Sequence, residues 1–322
     1  MAAGGHRRPR RTGANPDSWQ RKMSRQLEVK DPARLSDGDE ARGRLLADLP
    51  VTERRLRLAG ASTTLLEGGE GPPMVLLHGG TDSGGVSWAP LIARLSESAR
   101  VVVPDLPGLG ESEPVVEMNE VVFSDWLAEV VRMTCEEKPT LLTHSLLGSL
   151  AARFAIHHGE LLRRLVLIGV PGVGPYHMPL SLLMTAIRFD LRPSERGGAR
   201  FADWAFLDPI RTRHRDPEWF DAFMAYEMSR GMVPHVRRTM RQLIKACTKQ
   251  IPDADLRRID VPTALVWGRA DRMVRLQIAE LASARFGWPL QVIEDAGHVP
   301  MVEQPESFVR ALRAAFVYGE PR

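Results

Sequence analysis

Short β-prone apolar runs alternate with longer segments of helical periodicity along most of the chain, from residue 54 to the C-terminus. Continuous apolar runs bounded by turn-forming residues are typical of strands that are buried on both faces. Strands that alternate with helices indicate a mostly parallel, doubly wound sheet with helices on both sides. The predicted strands span residues 54–58, 62–67, 74–78, 100–104, 140–144, 164–168, 263–267 and 290–294.

The helical segments have apolar residues recurring at intervals of three and four. They span residues 88–96, 121–135, 146–158, 276–286 and 305–316. One interval, residues 171–255, breaks the alternation, because its roughly 85 residues far exceed what a crossover between neighbouring strands needs. It is rich in helix-forming, methionine and aromatic residues. We therefore predict a helical cap inserted into a core made of residues 43–170 and 256–322.

The first 42 residues differ in composition from the rest of the chain, being rich in Arg, Gly, Pro and Asp with few apolar residues. Such a segment cannot bury enough apolar surface to offset the entropy lost on ordering. We predict a flexible N-terminal arm over residues 1–42, and a short helix over residues 41–49 that leads into the core.

The charge distribution excludes one class of function. The formal net charge is +3, and Arg7, Arg8, Arg10 and Arg11 all precede the first acidic residue. The remaining chain is balanced and lacks the basic face that nucleic-acid binding requires. No apolar stretch approaches the roughly 18 residues of a membrane span. Because no apolar region follows the basic start as in a secretory signal, we expect a cytoplasmic protein of undetermined oligomeric state.

Ser145 is the first candidate catalytic residue. It follows the predicted strand 140–144 directly and precedes a predicted helix, so it occupies the turn between them. A serine hydroxyl becomes a useful nucleophile only on a turn that exposes its oxygen, with a base in hydrogen-bond reach and donors for the oxyanion. We therefore predict that Ser145 is a nucleophile. Neighbouring His144 should point to the other side of its strand and is expected to be structural.

Two later loops offer the partners that a serine nucleophile needs. Asp271 follows the strand 263–267, and His298 follows the last strand. In this arrangement His298 would take the serine proton, while Asp271 would hold the imidazole tautomer and stabilise the imidazolium. Asp295 is too close to His298 along the chain to be its usual partner, and Asp105 is expected to order its own loop.

A pair of glycines ends the strand 74–78, and glycine lets backbone N–H groups approach a ligand closely. The N–H groups of Gly80 and Leu146 are therefore our candidates for an oxyanion hole. No His and carboxylate cluster has ligand spacing, and no Gly-rich phosphate loop follows the first strand, so neither a metal nor a cofactor is expected. Cys135 and Cys247 are expected to be small buried residues without a disulfide.

Five motifs together resemble the α/β-hydrolase superfamily over roughly residues 50–318. They are His78-Gly79-Gly80, the loop from Asp105 to Ser112, the turn at Ser145, Trp267-Gly-Arg-Ala-Asp271 and Gly297-His298. The resemblance implies the α/β-hydrolase fold, with a mostly parallel eight-stranded sheet, a Ser-Asp-His triad in this chain order and often a helical cap after the sixth strand.

The turn departs from the superfamily's G-x-S-x-G pattern, because Thr143 and Leu147 stand where the two glycines are usual and Gly148 follows one place later. Those glycines relieve crowding where the strained turn meets strand and helix, so we predict an adjusted turn at Ser145.

The resemblance implies a cofactor-independent serine hydrolase acting on an ester, thioester or lactone of a mainly apolar small molecule. Two alternatives remain open. The capped layout and the segment 167–175 resemble the meta-cleavage-product hydrolases, which break C–C bonds, although Val299 replaces the Trp usual after their catalytic His. A non-catalytic relative that uses the pocket to bind a ligand is the other alternative, and the altered turn is its support.

Overall fold

The computed structural model describes residues 38–80 and 83–317, and it has the α/β-hydrolase fold expected from the sequence. The strands are β1 (Thr52–Leu58), β2 (Ala61–Gly68), β3 (Pro73–Leu77), β4 (Arg100–Pro104), β5 (Thr140–His144), β6 (Arg164–Ile168), β7 (Thr263–Gly268) and β8 (Leu290–Ile293). They form one sheet in the order β1-β2-β4-β3-β5-β6-β7-β8. β1 pairs with β2 and β2 with β4 in antiparallel fashion, whereas all other neighbouring pairs of the sheet are parallel.

Helices fill the connections between the strands. In the core they are α1 (Gly38–Leu46), α2 (Gly84–Ser96), α3 (Glu120–Thr134), α4 (Ser145–His158), α11 (Leu276–Phe286), α12 (Pro300–Glu303) and α13 (Pro305–Val317). Between β6 and β7 lie α5 (Leu180–Leu191), α6 (Glu195–Ala205), α7 (Pro209–Arg215), α8 (Pro217–Met232), α9 (Pro234–Cys247) and α10 (Asp253–Leu256). We refer to residues 171–255 as the helical insertion.

The parallel strands are apolar on both faces, and each face has its own core. Side chains alternate across a strand, so Val75 and Leu77 of β3 face one core while Met74 and Leu76 face the other. The first core also contains α3, α4 and α11, and the second contains α2 and α13. Phe206, from the helical insertion, is buried in the second core, so this part of the insertion is continuous with the sheet's own packing.

The predicted N-terminal arm, residues 1–42, lies mostly outside the described residues. Its last five residues belong to α1, which begins at Gly38 and not at residue 41 as the sequence pattern suggested. Ala41 is fully buried in the second core, and α1 packs against α8 of the helical insertion. This tertiary contact orders residues whose local composition favours an extended, solvated chain.

One helical glycine fixes how closely α4 approaches the sheet. A Cβ on Gly148 would overlap the side chain of Val170, the second residue after β6, and would lie 3.1 Å from Thr143 Oγ1. By contrast, a Cβ on Gly43 of α1 would meet no atom within 4 Å. The two positions are both helical and differ only in the space around them.

We expect Gly148→Ala to lower the free energy of unfolding by about 1–3 kcal/mol, because α4 must shift or Val170 must leave its position. Gly43→Ala, the matched control, should raise it by about 0.5–1 kcal/mol, since alanine is the better helix former. Urea unfolding of both variants measures the difference. Equal effects of the two substitutions would contradict the close packing inferred at Gly148.

Candidate active site

The predicted site residues lie at one edge of the sheet, at the carboxyl ends of the parallel strands. Gly80 follows β3, Ser145 follows β5, Asp271 follows β7 and His298 follows β8. In a parallel sheet these ends meet on the same side, where open α/β folds place their sites. The structure brings the side chains of Ser145, His298 and Asp271 into direct contact.

Ser145 lies on a strained turn between β5 and α4. Its φ angle is 53°, in the left-handed region that a non-glycine residue occupies at a cost of about 1–3 kcal/mol. Gly79 makes room for the turn, because a Cβ at position 79 would lie 2.8 Å from the Cβ of Ser145. The turn forms with Thr143 and Leu147 in place of the two usual glycines. Both side chains are fully buried, and Leu147 packs in the first core.

A chain of two hydrogen bonds links the three side chains. His298 Nδ1 lies 2.8 Å from Asp271 Oδ2, and His298 Nε2 lies 2.8 Å from Ser145 Oγ. A carboxylate only accepts hydrogen bonds, so Nδ1 carries the ring proton and Nε2 of the neutral imidazole accepts from the serine hydroxyl. All three residues are buried, so little water competes for these hydrogen bonds.

Asp271 is oriented by its own loop. Its second oxygen, Oδ1, accepts the backbone N–H groups of Met273 and Val274, each at 2.9 Å. Trp267 Nε1 donates to the carbonyl of Val274 at 2.8 Å and closes the same loop. Asp271 therefore faces His298 with one oxygen while the other is fixed by backbone donors.

The two alternative carboxylates do not face His298 in this way. Asp105 accepts the backbone N–H groups of Gly84 and Glu111, at 2.8 and 2.9 Å, and so orders its own loop as expected. Burial raises the pKa of Asp105 to about 6, against the opposing effects of His78 and these two N–H donors. The backbone carbonyl of Asp295 accepts a hydrogen bond from Arg211 Nη2 at 2.9 Å.

His144 is structural in the sense that it does not contact the serine hydroxyl, yet it contacts His298 directly. Its Nε2–H donates to the backbone carbonyl of His298 at 2.8 Å, and the two ring centroids are 4.7 Å apart. Burial, together with the proximity of His298, holds the pKa of His144 well below its usual value. The ring is therefore a neutral donor that supports the loop carrying His298.

The two candidate oxyanion donors are the N–H groups of Leu146, which follows Ser145 in the chain, and of Gly80, in the loop after β3. Leu146 is the second residue of α4, and the first N–H groups of a helix have no partner within the helix. No side chain caps this end of α4. Gly80 adjoins Gly79, which is in close contact with Ser145. The positive end of the helix dipole adds to the preference for negative charge at this position.

Glycines also bring the Asp271 and His298 loops together. A Cβ on Gly268 would overlap the carbonyl oxygen of Gly297, so the Asp271 and His298 loops touch through their backbones. Gly169, after β6, has a φ of 58°, and its Cβ would lie 3.1 Å from the ring of His298 and 3.3 Å from Asp271 Oδ2. A side chain at position 169 would therefore press on the His298–Asp271 hydrogen bond.

The helical insertion is hydrogen-bonded to the loop that carries His298. The N–H of His298 donates to the carbonyl of Ala205, at the end of α6, at 2.7 Å. Glu303 accepts the N–H of Gly297 at 2.5 Å with one oxygen and the N–H of Leu207 at 2.7 Å with the other. The buried Glu303 carboxylate is thus a bridge between the insertion and the residue before His298.

A second bridge reaches the insertion from the Asp271 loop. Arg272, next to Asp271, donates from Nη2 to the carbonyl of Phe206 at 2.6 Å. Segment 205–207 therefore lies between Arg272 on one side and Glu303 on the other. Any movement of this segment away from the sheet would break hydrogen bonds to both the Asp271 loop and the His298 loop.

Sequence reasoning did not find Gly169, Arg272 or Glu303. Gly169 had a visible pattern, a glycine directly after a buried strand at the edge that carries the site. Glu303 is the acidic residue in an otherwise apolar stretch that follows His298. Arg272 had no distinguishing pattern, because its role depends on a segment 66 residues away in sequence.

The described residues contain no group of three His, Cys, Asp or Glu side chains arranged to hold a metal ion. Cys135 is partly exposed and Cys247 is buried, and both are free thiols. Among the helices of residues 38–80 and 83–317, none is long and apolar enough to cross a bilayer.

The chain is similar to known proteins at the level of family and of fold. The model of a family described as the alpha/beta hydrolase family matches residues 74–311. Among solved structures, a carboxylesterase from Bacillus subtilis superposes with a TM-score of 0.74 at 24% identity, covering 90% of this chain and all of that one.

Two groups of curated relatives are similar over most of their length. A 2-hydroxy-6-oxo-6-(2'-aminophenyl)hexa-2,4-dienoic acid hydrolase of Metapseudomonas resinovorans is 26% identical over 274 residues, which are 80% of this chain and 89% of that protein. A pimeloyl-[acyl-carrier protein] methyl ester esterase of Aeromonas hydrophila is 29% identical over 263 residues, covering 76% of this chain and 95% of that protein.

Glu303 gives the bridge a measurable pH dependence. Burial raises the pKa of Glu303 to about 7, against the opposing effect of three backbone N–H donors. A folded-state pKa above the unfolded value contributes stability at low pH that is lost as the pH rises through the folded pKa. Relative to Glu303→Gln, we expect wild type to lose about 2 kcal/mol of unfolding free energy between pH 5 and pH 8.

Urea unfolding of both proteins at the two pH values measures this loss. The control is Glu70→Gln, which removes an exposed carboxylate outside the bridge and should unfold like wild type at both pH values. A constant difference for Glu303→Gln as well would contradict the inferred burial of the carboxylate.

Proposed function

Because the chain belongs to the alpha/beta hydrolase family, we propose that it is a serine hydrolase that cleaves an ester, thioester or lactone of a mainly apolar substrate through an acyl-enzyme. The observation that carries the proposal is the pair of 2.8 Å hydrogen bonds that joins Ser145, His298 and Asp271. In this order the residue types match a nucleophile, a general base and the carboxylate that orients the base.

In the proposed reaction Ser145 Oγ attacks the substrate carbonyl carbon while His298 Nε2 takes the hydroxyl proton. The tetrahedral intermediate collapses when His298 gives that proton to the leaving oxygen or sulfur, which leaves the acyl group on Ser145. A water molecule then attacks the acyl carbon with His298 again as the base, and Ser145 recovers its proton. Asp271 stabilises the imidazolium in both halves of the reaction.

We assign the N–H groups of Gly80 and Leu146 to the oxyanion hole. Leu146 follows Ser145 in the first turn of α4, and Gly80 follows Gly79, which is in close contact with Ser145. These positions favour donation by both N–H groups to a carbonyl oxygen bound to Oγ. Loss of one such donor typically costs on the order of 100- to 1000-fold in rate.

The helical insertion would serve as the cap over this site. One apolar segment of it, Ala205-Phe206-Leu207, is held by hydrogen bonds to residues of both catalytic loops. An apolar segment fixed against the His298 loop favours a substrate with an apolar acyl or alcohol part, since burial of that part contributes binding free energy.

A second candidate is a C–C bond hydrolase, favoured by the similarity to the Metapseudomonas resinovorans enzyme named for a hexadienoic acid substrate. Val299, where a Trp is usual after the catalytic His of such enzymes, weighs against it. The two candidates can be separated by measuring kcat/KM for esters and for vinylogous diketone acids. A serine esterase prefers the esters, and a C–C bond hydrolase prefers the diketone acids. A ligand-binding relative would turn over neither.

We expect a fluorophosphonate probe to add one adduct to the wild-type protein, at Ser145, and none to Ser145→Ala or His298→Ala. Intact-protein mass spectrometry counts the adducts and peptide mapping locates them. The matched control is Ser149→Ala, one turn further along α4, whose hydroxyl donates to the carbonyl of Cys247 and should not affect labelling. Folded wild type without an adduct would favour the ligand-binding alternative.

Asp271→Asn should lower kcat by roughly 10³- to 10⁴-fold while the protein stays folded. The asparagine oxygen can still accept from Met273 and Val274, but its NH₂ group then faces His298 Nδ1 and favours the wrong imidazole tautomer. Steady-state kinetics on the best ester measures kcat, and circular dichroism verifies the fold. A loss below about tenfold would contradict the role assigned to Asp271.

A further inference from the structure

Helix α5 of the helical insertion is apolar on two opposite faces. Its inner face packs on the rest of the insertion: Leu182 is buried, and the ring of Phe189 lies against Phe201 and beside Gly197 and Gly231. Its outer face carries five large apolar side chains that are 39–74% exposed. They are Leu180, Leu183, Met184, Ile187 and Leu191, and we call them the α5 ridge.

The spacing of the α5 ridge makes it one continuous surface. The five residues recur at intervals of three and four, so they share one side of the helix, roughly opposite Leu182 and Phe189. They are half of the ten exposed large apolar side chains found in the described residues, although α5 has only 12 residues. A helix that is apolar all round is normally buried, and a concentrated exposed patch marks an interaction surface.

The charges around the ridge indicate its partner. Residues 180–200 contain four arginines, all exposed, and two acidic residues. One of the acidic residues, Asp190, is held by Arg241 at 2.6 Å. Residues 1–37 are also basic, with nine basic and four acidic residues, and they join the fold at Gly38, which packs against Ser229 of α8. The point at which this basic segment joins the fold therefore contacts the helical insertion.

Apolar side chains bordered by arginines suit an anionic lipid surface. The apolar side chains enter the boundary between the lipid headgroups and the acyl tails, while the guanidinium groups remain with the lipid phosphates. A second copy of this chain fits less well, because contact through α5 would bring Arg188 and Arg192 of both copies close together. One helix also offers far fewer than the roughly 20–30 residues a side of a stable interface. The N-terminal arm of the same chain also fits less well as a partner, because it has the same sign of charge as the residues around the α5 ridge.

We infer that the α5 ridge docks the helical insertion on an anionic membrane surface. This inference does not depend on the proposed hydrolysis. It does have a consequence for it, because α5 packs on α6, whose last residue, Ala205, is hydrogen-bonded to His298. Docking through α5 would bring the catalytic edge of the sheet close to the lipid surface.

Co-sedimentation with vesicles tests the inference, using full-length protein. We expect wild type to bind phosphatidylcholine vesicles that contain about 30% phosphatidylglycerol more tightly than pure phosphatidylcholine vesicles, and to release as ionic strength rises. Leu183→Ser with Ile187→Ser should lower the partition coefficient at least about tenfold. Arg188→Gln should lower it roughly fivefold.

Two further proteins serve as controls. Val116→Ser with Val121→Ser changes two exposed apolar residues outside the helical insertion and should bind as wild type. Replacement of Arg7, Arg8, Arg10 and Arg11 by Gln tests the arm. When Leu183→Ser and Ile187→Ser are added to the protein that lacks these four arginines, they should still lower its partition onto the vesicles.

Three results would overturn the inference: no binding by wild type, binding that the α5 substitutions leave unchanged, or binding that disappears with the arm arginines alone. A dimer in sedimentation velocity that the α5 substitutions dissociate, without vesicle binding, would assign the ridge to a second copy of the chain. Ser145→Ala should bind vesicles like wild type, and the α5 variants should hydrolyse a water-soluble ester like wild type. Failure of docking and failure of hydrolysis are thereby distinguished.

Discussion

The left-handed backbone at Ser145 is the constraint on which the rest of the site depends. A serine at φ 53° is strained, and the strain is sustained only because the chain on each side is fixed by packing. β5 lies between β3 and β6 with every residue buried, and α4 is pressed onto the sheet through Gly148. The strained turn aims Oγ of Ser145 at His298 and presents the first N–H groups of α4 on the same side.

The histidine is held from several directions at once, and each contact comes from a different part of the chain. Asp271 fixes one ring nitrogen, while His144 supports the backbone carbonyl. Ala205 accepts the backbone N–H, and Glu303 fixes the preceding peptide. Two of these contacts involve the helical insertion, so the insertion and the His298 loop form one hydrogen-bonded unit. Rearrangement of the insertion would therefore change the position of His298, the proposed base.

Much of this arrangement follows from local sequence pattern. Short β-prone apolar runs located the eight strands to within two residues at each end, and the pattern is strongest in central strands such as β3 and β5, which are buried on both faces. Loops after parallel strands meet at one edge, so the chain positions of Ser145, Asp271 and His298 were enough to predict that they are neighbours. The sequence departure at Thr143 and Leu147 is accommodated because Gly148 makes the close contact with Val170 and Leu147 enters the core.

What the sequence did not reveal depends on contacts between distant segments. The bridge made by Glu303 requires Leu207, 96 residues away, and the start of α1 depends on packing against α8. His144 was assigned a structural role from strand alternation, but its contact with the backbone of His298 spans 154 residues. Such partners have no periodicity, so local patterns cannot indicate them. Composition likewise predicts an apolar insertion without showing that one apolar face of α5 remains exposed.

The most direct test of the central claim is the pre-steady-state release of p-nitrophenolate from an activated ester. A covalent acyl-enzyme on Ser145 predicts a burst close to one equivalent of product per enzyme when deacylation is the slower step, followed by linear turnover. Trapping the reaction in acid during the burst should show the acyl mass on the peptide that contains Ser145. Turnover without an acylated Ser145 in the trapped protein would contradict the account.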